Sequence, residues 1–147
     1  MIIALWRNQP TFILRRTAAQ LSALQDPRHL RDLRDPDSME LQQPEYAKNW
    51  HRSITPEYLV VVGICTHLGC SPKLEPASDA SLGPSWRGGY LCPCHGSKYD
   101  FSARVFKGVP APYNLPVPPH NFRSTSLLRI GENPAGSNFS FDSILKV

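Results

Sequence analysis

All four cysteines of this 147-residue chain lie in two short segments that also contain histidine. The first segment reads Cys-Thr-His-Leu-Gly-Cys over residues 65–70, and the second reads Cys-Pro-Cys-His-Gly-Ser over residues 92–97. Cysteines that merely fill a core have no reason to recur beside histidines at such tight spacing. The two segments therefore predict a metal site, and the fold has to bring two loops together to build it.

Zinc is the first metal to consider, because two thiolates and two imidazoles suit its tetrahedral coordination. Zinc fingers usually space paired cysteines by about two to four residues and paired histidines by about three to five. Here each segment offers one cysteine and one histidine, and a further cysteine is left over in each. The spacing disfavours zinc, although a zinc-binding structural module stays open as an alternative.

The fold class follows from prolines and from the distribution of large apolar residues. Fifteen prolines disfavour a helical bundle and favour loops and short antiparallel strands. One short helix is predicted, capped by Thr17 and ending at Gln25, where Asp26 and Pro27 stop it. Strands are predicted over residues 4–7, 11–15, 58–64, 86–91, 99–106, 122–130 and 138–145. The strands over 58–64 and 86–91 lead directly into the two Cys/His segments.

Charge and hydropathy exclude some functions. The formal net charge is +4, but the basic residues are scattered, and acidic residues lie among them over residues 26–45. We therefore expect no nucleic-acid binding, and either a solvated surface or a face that docks on an acidic redox partner explains the charge. The longest apolar runs, residues 1–5 and 59–65, are far shorter than the roughly 20 residues that span a bilayer. The chain also lacks a signal-peptide pattern, and its abrupt start in a predicted strand suggests that an upstream segment was removed.

The two Cys/His segments resemble those of the Rieske iron-sulfur proteins, and the resemblance extends over about residues 57–119. The chain is most similar to the Rieske subunits of bacterial cytochrome bc1 complexes. Its Trp-Arg-x-x-Pro-x-Phe segment at residues 6–12 also looks like the first strands of that subunit. The resemblance implies an antiparallel β-sandwich in which residues 65–112 form a small cluster-binding subdomain. Residues 1–64 and 113–147 would then form its base.

The same resemblance implies one [2Fe-2S] cluster, with two cysteines on one iron and two histidines on the other. The implied ligands are Cys65, His67, Cys92 and His95, and the implied disulfide joins Cys70 to Cys94. Such a disulfide would tie the two loops together and is worth about 3 kcal/mol in the loop-entropy model. Neutral imidazoles in place of two thiolates make the cluster less negative, so we expect a high reduction potential for a two-iron centre.

Further residues near the two segments match positions with known roles in the family. Ser97 and Tyr99 would donate hydroxyl hydrogen bonds to a bridging sulfide and to a cysteine sulfur, which stabilises the reduced cluster. Leu68 would cover the cluster, and a proline loop would shield its far side through Gly108, Pro110 and Pro112. Without the resemblance, Ser97 would be interpreted as a turn residue, Tyr99 as a core aromatic residue and Leu68 as a core leucine.

The resemblance also implies a function and a location. In the bc1 family the exposed edge of the second histidine, here His95, accepts a hydrogen bond from ubiquinol. In that family the protein takes one electron with one proton from ubiquinol at cytochrome b and passes the electron to cytochrome c1. The resemblance thus implies that this chain is the catalytic iron-sulfur subunit of a ubiquinol-cytochrome c reductase. We expect the periplasmic side of a bacterial inner membrane, because disulfides persist there, with an N-terminal membrane helix and hinge that this sequence lacks.

Other proteins carry the same kind of cluster. A Rieske oxygenase needs a second iron domain, for which this chain has no room. Rieske ferredoxins resemble the pattern without the extra pair, Cys70 and Cys94. The Rieske electron-relay subunit of arsenite oxidase is a closer alternative, although Ser97, Tyr99 and the proline loop favour the bc1 subunit. The remaining histidines, His29, His51 and His120, are predicted to be surface or packing residues.

Overall fold

The computed structural model describes residues 1–145, in which short antiparallel strands predominate. The strands are β1 (Ile2–Trp6), β2 (Gln9–Arg15), β3 (Tyr58–Val62), β4 (Lys73–Glu75), β5 (Gly89–Leu91), β6 (Lys98–Tyr99), β7 (His120–Ser124) and β8 (Leu127–Ile130). The helices are α1 (Ala18–Ala23) and α2 (Pro27–Arg31), with 3₁₀ turns at Glu45–Ala47, Ala80–Leu82 and Phe141–Ser143. The strands form three sheets, in the orders β1-β2-β3, β4-β5-β6 and β7-β8. The mainly β, antiparallel prediction is confirmed.

The first sheet begins as a tight hairpin. Arg7 and Asn8 both have positive φ angles, of 52° and 60°, as a two-residue type I′ turn requires. Strand β3 then pairs with β2, and Phe12 lies opposite Val61. The four residues from Leu59 to Val62 are all buried, so this strand is covered on both faces and delivers the chain to the first Cys/His segment.

The second sheet lies within residues 65–112 and supports both Cys/His segments. Lys73, Leu91 and Lys98 lie opposite one another across its three strands. Gly89 permits this close pairing, because a β-carbon there would collide with the carbonyl oxygen of Tyr99. The ring of Tyr90 stacks on Phe12 of the first sheet with centroids 5.6 Å apart, so the two sheets share one core.

Several elements differ from the sequence prediction. A second short helix, α2, follows the first, because Asp26 caps its N-terminus and Pro27 occupies its first turn. The segment over residues 122–130 is the end of one strand, a turn and a second strand, not one continuous strand. The segment over residues 138–145 contains a 3₁₀ turn at Phe141–Ser143 in place of a strand, and Phe141 and Ile144 pack against Val62. An apolar spacing of three residues suits a helical turn better than a strand.

The prediction of a strand over residues 99–106 is also wrong beyond Tyr99. The Asp100 carboxylate accepts hydrogen bonds from the backbone N–H groups of Ser102 and Arg104, at 2.8 and 2.9 Å, and this folds the chain into a turn. Ala103 takes a positive φ of 59° within that turn. Among residues 1–145, no helix is both long and apolar enough to cross a bilayer.

Candidate metal centre

The two Cys/His segments fold into loops with the same backbone hydrogen bonds. In the first loop the N–H of Cys65 donates to the carbonyl of Cys70 at 2.8 Å, and the N–H of Gly69 donates to Cys65 at 3.1 Å. In the second loop Cys92 donates to Ser97 at 2.8 Å, and Gly96 donates back to Cys92 at 2.9 Å. Both glycines have positive φ, of 84° and 76°, a conformation that L side chains rarely adopt. Each sequence motif therefore specifies one turn.

The four predicted ligand side chains lie on these two loops and form two close pairs, one of cysteines and one of histidines. Cys65 and Cys92 are buried free cysteines, and the rings of His67 and His95 lie edge to face with centroids 4.7 Å apart. Burial raises the pKa of the Cys92 thiol, and the neighbouring Cys65 raises it further. His95 is exposed, whereas His67 is half-buried.

The donor set fits a two-iron cluster. The Nδ1 atom of His67 is buried and has no hydrogen-bond partner within residues 1–145. Such an atom costs free energy unless it binds something. Cys65 and Cys92, on the same two loops, are buried thiols without a disulfide partner. Thiolate and imidazole are the ligand types that Rieske clusters use.

A disulfide joins the two loops, as the family resemblance implied. Cys70 and Cys94 are bonded, with their α-carbons 6.5 Å apart. The Cys92 sulfur lies within 4.8 Å of both disulfide sulfurs. These three sulfurs do not form a metal site of their own, because disulfide sulfur offers no thiolate. The disulfide instead holds Cys92 and the loop of Cys65 at a fixed separation.

Tyr99 lies directly behind the first loop. Its hydroxyl is 3.3 Å from the Cys65 sulfur and receives the backbone N–H of Thr66 at 3.2 Å. The Thr66 hydroxyl donates to the carbonyl of Tyr113 at 2.7 Å and so ties the loop to the chain that follows the proline loop. Burial raises the pKa of Tyr99 far above its usual range, so its proton is available for donation to sulfur.

Ser97 and the proline loop meet on the other side. The Ser97 hydroxyl is buried and accepts the backbone N–H of Ala111 at 3.0 Å, a bond that leaves its own proton free to be donated. The residues of the proline loop are unequally exposed, since Gly108 and Pro110 are exposed and Pro112 is half-buried. The loop is therefore anchored at Ala111.

Leu68 occupies the tip of the first loop. Its side chain is 70% exposed, so its interpretation as a core leucine is wrong. His29 and His120 are buried and His51 is half-buried, in agreement with packing roles.

A buried charge network behind Tyr99 was missed by the sequence analysis. Asp100 accepts Nε–H of Arg104 at 2.8 Å and lies 3.0 Å from Nε2 of His29. Burial alone would raise the pKa of Asp100, but the Arg104 charge and the His29 contact hold it well below its usual range. The acid and the arginine stand four residues apart, directly after the second ligand loop, and that spacing was the available signal.

Two further arginines clamp the same turn. Arg16 donates to the Phe101 carbonyl and the Ser102 hydroxyl, and Arg52 donates to the carbonyls of Ser102 and Ala103. Burial lowers the pKa of Arg16 to about 10 and that of Arg52 to about 9, so both remain charged at neutral pH. The interpretation of the basic residues as solvated surface is thus wrong for these arginines.

Comparison with known proteins gives a family. A model of the Rieske [2Fe-2S] domain matches residues 28–119. The chain is 50% identical over 131 residues to the ubiquinol-cytochrome c reductase iron-sulfur subunit of Allochromatium vinosum. The aligned region covers 87% of this chain and 61% of that relative. It is 48% identical over 126 residues to the cytochrome b-c1 complex subunit Rieske-1, mitochondrial, of Nicotiana tabacum, which covers 86% of this chain and 41% of that relative.

The chain thus spans between 41% and 61% of the length of these two relatives. The matched domain model covers most of the chain and includes both ligand loops, the disulfide, Ser97 and Tyr99. This chain therefore belongs to the Rieske family, and its domain is of the kind that binds a [2Fe-2S] cluster.

Proposed function

We propose that this chain is the cluster-bearing part of the iron-sulfur subunit of a bacterial ubiquinol-cytochrome c reductase, and that it carries one electron at a time. The observation that carries the proposal is the combination of an exposed His95 with a Tyr99 hydroxyl placed 3.3 Å from the Cys65 sulfur. The hydroxyl favours a reduced, more negative cluster, and the exposed imidazole offers a site for a proton. The names of the relatives support the same reading.

Cys65 and Cys92 would bind the cluster as thiolates, and His67 and His95 would bind it as neutral imidazoles. When bound, the [2Fe-2S] cluster supplies a one-electron acceptor. Residues 65–112 would act as the cluster-binding subdomain, with the disulfide between Cys70 and Cys94 closing it. The remainder of the chain would serve as a rigid base.

His95 would make the contact with ubiquinol. One ring nitrogen of His95 would bind the cluster. The other nitrogen, after it has lost its proton, would accept a hydrogen bond from the quinol hydroxyl and then take up that proton, which returns the ring to the neutral imidazole. Reduction of the cluster would raise the affinity of this nitrogen for the proton, because it adds negative charge beside the ring. The exposed Leu68 would exclude water on the side of the first loop, and Gly108, Pro110 and Pro112 would do so on the far side.

Ser97 and Tyr99 would tune the potential. Each would place a hydroxyl proton against sulfur, where it stabilises the reduced form more than the oxidised form. The donor capacity of Ser97 is preserved because its hydroxyl accepts, and does not donate, in its bond with Ala111.

The partners of this reaction would be cytochrome b, at whose quinol-oxidation site the electron is taken up, and cytochrome c1, which receives it. The full-length protein would be anchored on the periplasmic side of a bacterial inner membrane. The electron-relay alternatives, a Rieske ferredoxin and the Rieske subunit of an arsenite oxidase, gain no support from the names of the relatives.

The test is a redox titration of the purified holoprotein, followed by electron paramagnetic resonance of the reduced form, across a pH range from about 6 to 10. We expect a rhombic two-iron signal and a positive midpoint potential that falls as pH rises. A negative, pH-independent potential would favour the ferredoxin alternative. A purified protein without iron would favour the alternative of a zinc-binding structural module.

A further inference from the structure

A basic face borders the proline loop. It consists of four cationic side chains from three segments that lie together: Arg31, Arg34, Lys98 and Lys107. The N–H of Arg34 bonds to Val105, that of Lys107 bonds to Asp32, and that of Phe106 bonds to Lys98, which brings the three segments into contact. Arg31, Arg34 and Lys107 are exposed, and Lys98 is half-buried.

Backbone carbonyls accept hydrogen bonds from the side chains of three of these cations. Lys107 donates from Nζ to the carbonyl of Arg31 at 2.8 Å, and Lys98 donates from Nζ to the carbonyl of Leu82 at 3.1 Å. Arg34 reaches the carbonyl of Pro112 at 3.4 Å, so its guanidinium lies against the proline loop itself. The face is thus preorganised, and a partner would pay less conformational entropy to bind it.

The four cations of this face take part in none of the ion pairs found among residues 1–145. Asp32, Asp35 and Asp37 are the nearest acidic residues along the chain to the two arginines. Asp35 is buried, and its carboxylate accepts hydrogen bonds from the backbone N–H groups of Met39 and Glu40. In the part of the chain that the structure describes, all ion pairs within 4 Å involve other cations. Cations that lie together on one side of a protein without ion-pair partners create a positive potential that attracts an anionic surface.

The centre of the face is apolar. Pro110 is exposed and Val109 is half-buried. Lys107 precedes this stretch in the chain, and Arg34 bonds to the carbonyl of Pro112, which follows it. An apolar centre with a charged rim is the arrangement of protein–protein interfaces. Surfaces that bind single-stranded nucleic acid instead add exposed aromatic rings for stacking, whereas Tyr99 and Phe106, which adjoin Lys98 and Lys107 in the chain, are both buried.

We propose that this basic face docks an electron-accepting protein through an acidic patch on that partner. The inference rests on the proposed function and adds the chemistry of one partner to it. The proline loop is bonded to Ser97 through Ala111, so a partner seated on the loop lies one chain segment away from the second ligand loop. Complementary charge at this position raises the rate of encounter and sets the orientation of the complex.

The test is the rate at which reduced holoprotein gives its electron to an oxidised c-type cytochrome in a stopped-flow instrument, at ionic strengths from about 0.01 to 0.3 M. One cytochrome has an acidic haem edge, and a second one has a basic haem edge. The test variant combines Arg31→Glu with Lys107→Glu. The control combines Arg15→Glu with Arg129→Glu, two exposed cations on β2 and β8, and has the same net charge.

The acidic cytochrome should react faster than the basic one at low salt, and this advantage should vanish at high salt. The test variant should react with it about tenfold more slowly at low salt, and the control less than about threefold more slowly. Equal slowing in both variants would overturn the proposal, as would equal rates for the two cytochromes. The midpoint potential and its pH dependence belong to the proposed function, and both variants should keep them. A loss of pH dependence in the parent protein would therefore reject that function without bearing on the basic face.

Discussion

The hydroxyl of Tyr99 lies 3.3 Å from the sulfur of Cys65 and is fixed there by the backbone N–H of Thr66. A tyrosine in this position is a donor that cannot turn away, because its ring is fully buried in the core. The loop that carries Cys65 and the strand that carries Tyr99 are therefore linked at the sulfur itself.

Tyr99→Phe should lower the midpoint potential. The substitution removes one hydrogen bond to sulfur, and a bond worth about 1 kcal/mol corresponds to about 40 mV for a one-electron couple. Redox titration of the holoprotein measures the shift. Tyr46→Phe is the matched control, since the Tyr46 hydroxyl bonds to the backbone of His120 away from both loops. A potential that does not change in Tyr99→Phe would remove the tuning role from this residue.

Ser97→Ala should change two properties together. The potential should fall by about 40 mV for the same reason, and stability should fall by about 1–3 kcal/mol because the N–H of Ala111 loses its buried acceptor. Titration and denaturation measure the two effects separately. Ser102→Ala serves as the control, because its hydroxyl accepts from Arg16 at 3.0 Å and its loss should affect stability alone. If both variants gave the same potential as the parent, Ser97 would have only a structural role.

Asp100→Asn should destabilise the domain by about 3–5 kcal/mol, because it leaves the buried guanidinium of Arg104 without its carboxylate. The turn that follows Tyr99 should loosen, and the cluster should be lost faster on heating. Urea denaturation and the decay of the cluster absorbance report these changes. Glu132→Gln, which breaks the exposed pair with Arg123, should leave both unchanged. If the two variants had the same free energy of unfolding and the same rate of cluster loss, the buried network would not stabilise the domain.

Stability should fall as the pH drops from about 6.5 to 4. Burial lowers the pKa of His120 to about 4, so the unfolded chain binds its proton at higher pH than the folded chain does. The unfolded state therefore binds more protons in that window, and acidification favours it. His51 adds to the effect, since its burial and the charge of Arg16 lower its pKa to about 4 as well.

The variant that checks this pH dependence is His120→Asn, which keeps a side-chain N–H for the carbonyl of Pro118 but does not titrate in this range. The parent should lose about 3 kcal/mol across the window through His120, and the variant should lose correspondingly less. Urea midpoints at pH 7, 5.5 and 4.5 measure both. Parallel pH profiles for parent and variant would exclude His120 as the titrating group.

The ligand loops could be predicted from the sequence because their signal is local. Each loop is six residues long, and its cysteine and glycine specify one turn. The strands β2 and β3 could also be predicted, because a run of large apolar residues such as Leu59 to Val62 is expected to be buried, as it is here.

The buried residues that stabilise the ligand loops from behind could not be predicted in the same way. Arg52 binds carbonyl groups about 50 residues away, and nothing in its neighbourhood distinguishes it from a surface arginine. The turn after Tyr99 lies in a stretch whose residue propensities favour a strand. Its conformation is determined instead by the hydrogen bonds that the Asp100 side chain accepts from the backbone. The Asp26-Pro27 pair was interpreted as a stop, whereas the same residues also start a helix.

The matching backbone of the two ligand loops has a consequence for their histidines. Counted from its first cysteine, each loop bends at its fifth residue, Gly69 or Gly96. His67 stands third in its loop, but His95 stands fourth, at the place where the other loop carries the exposed Leu68. A shift of one position within an otherwise repeated turn leaves the imidazole of His67 half-buried and that of His95 exposed to solvent. An approaching molecule therefore meets His95 before His67.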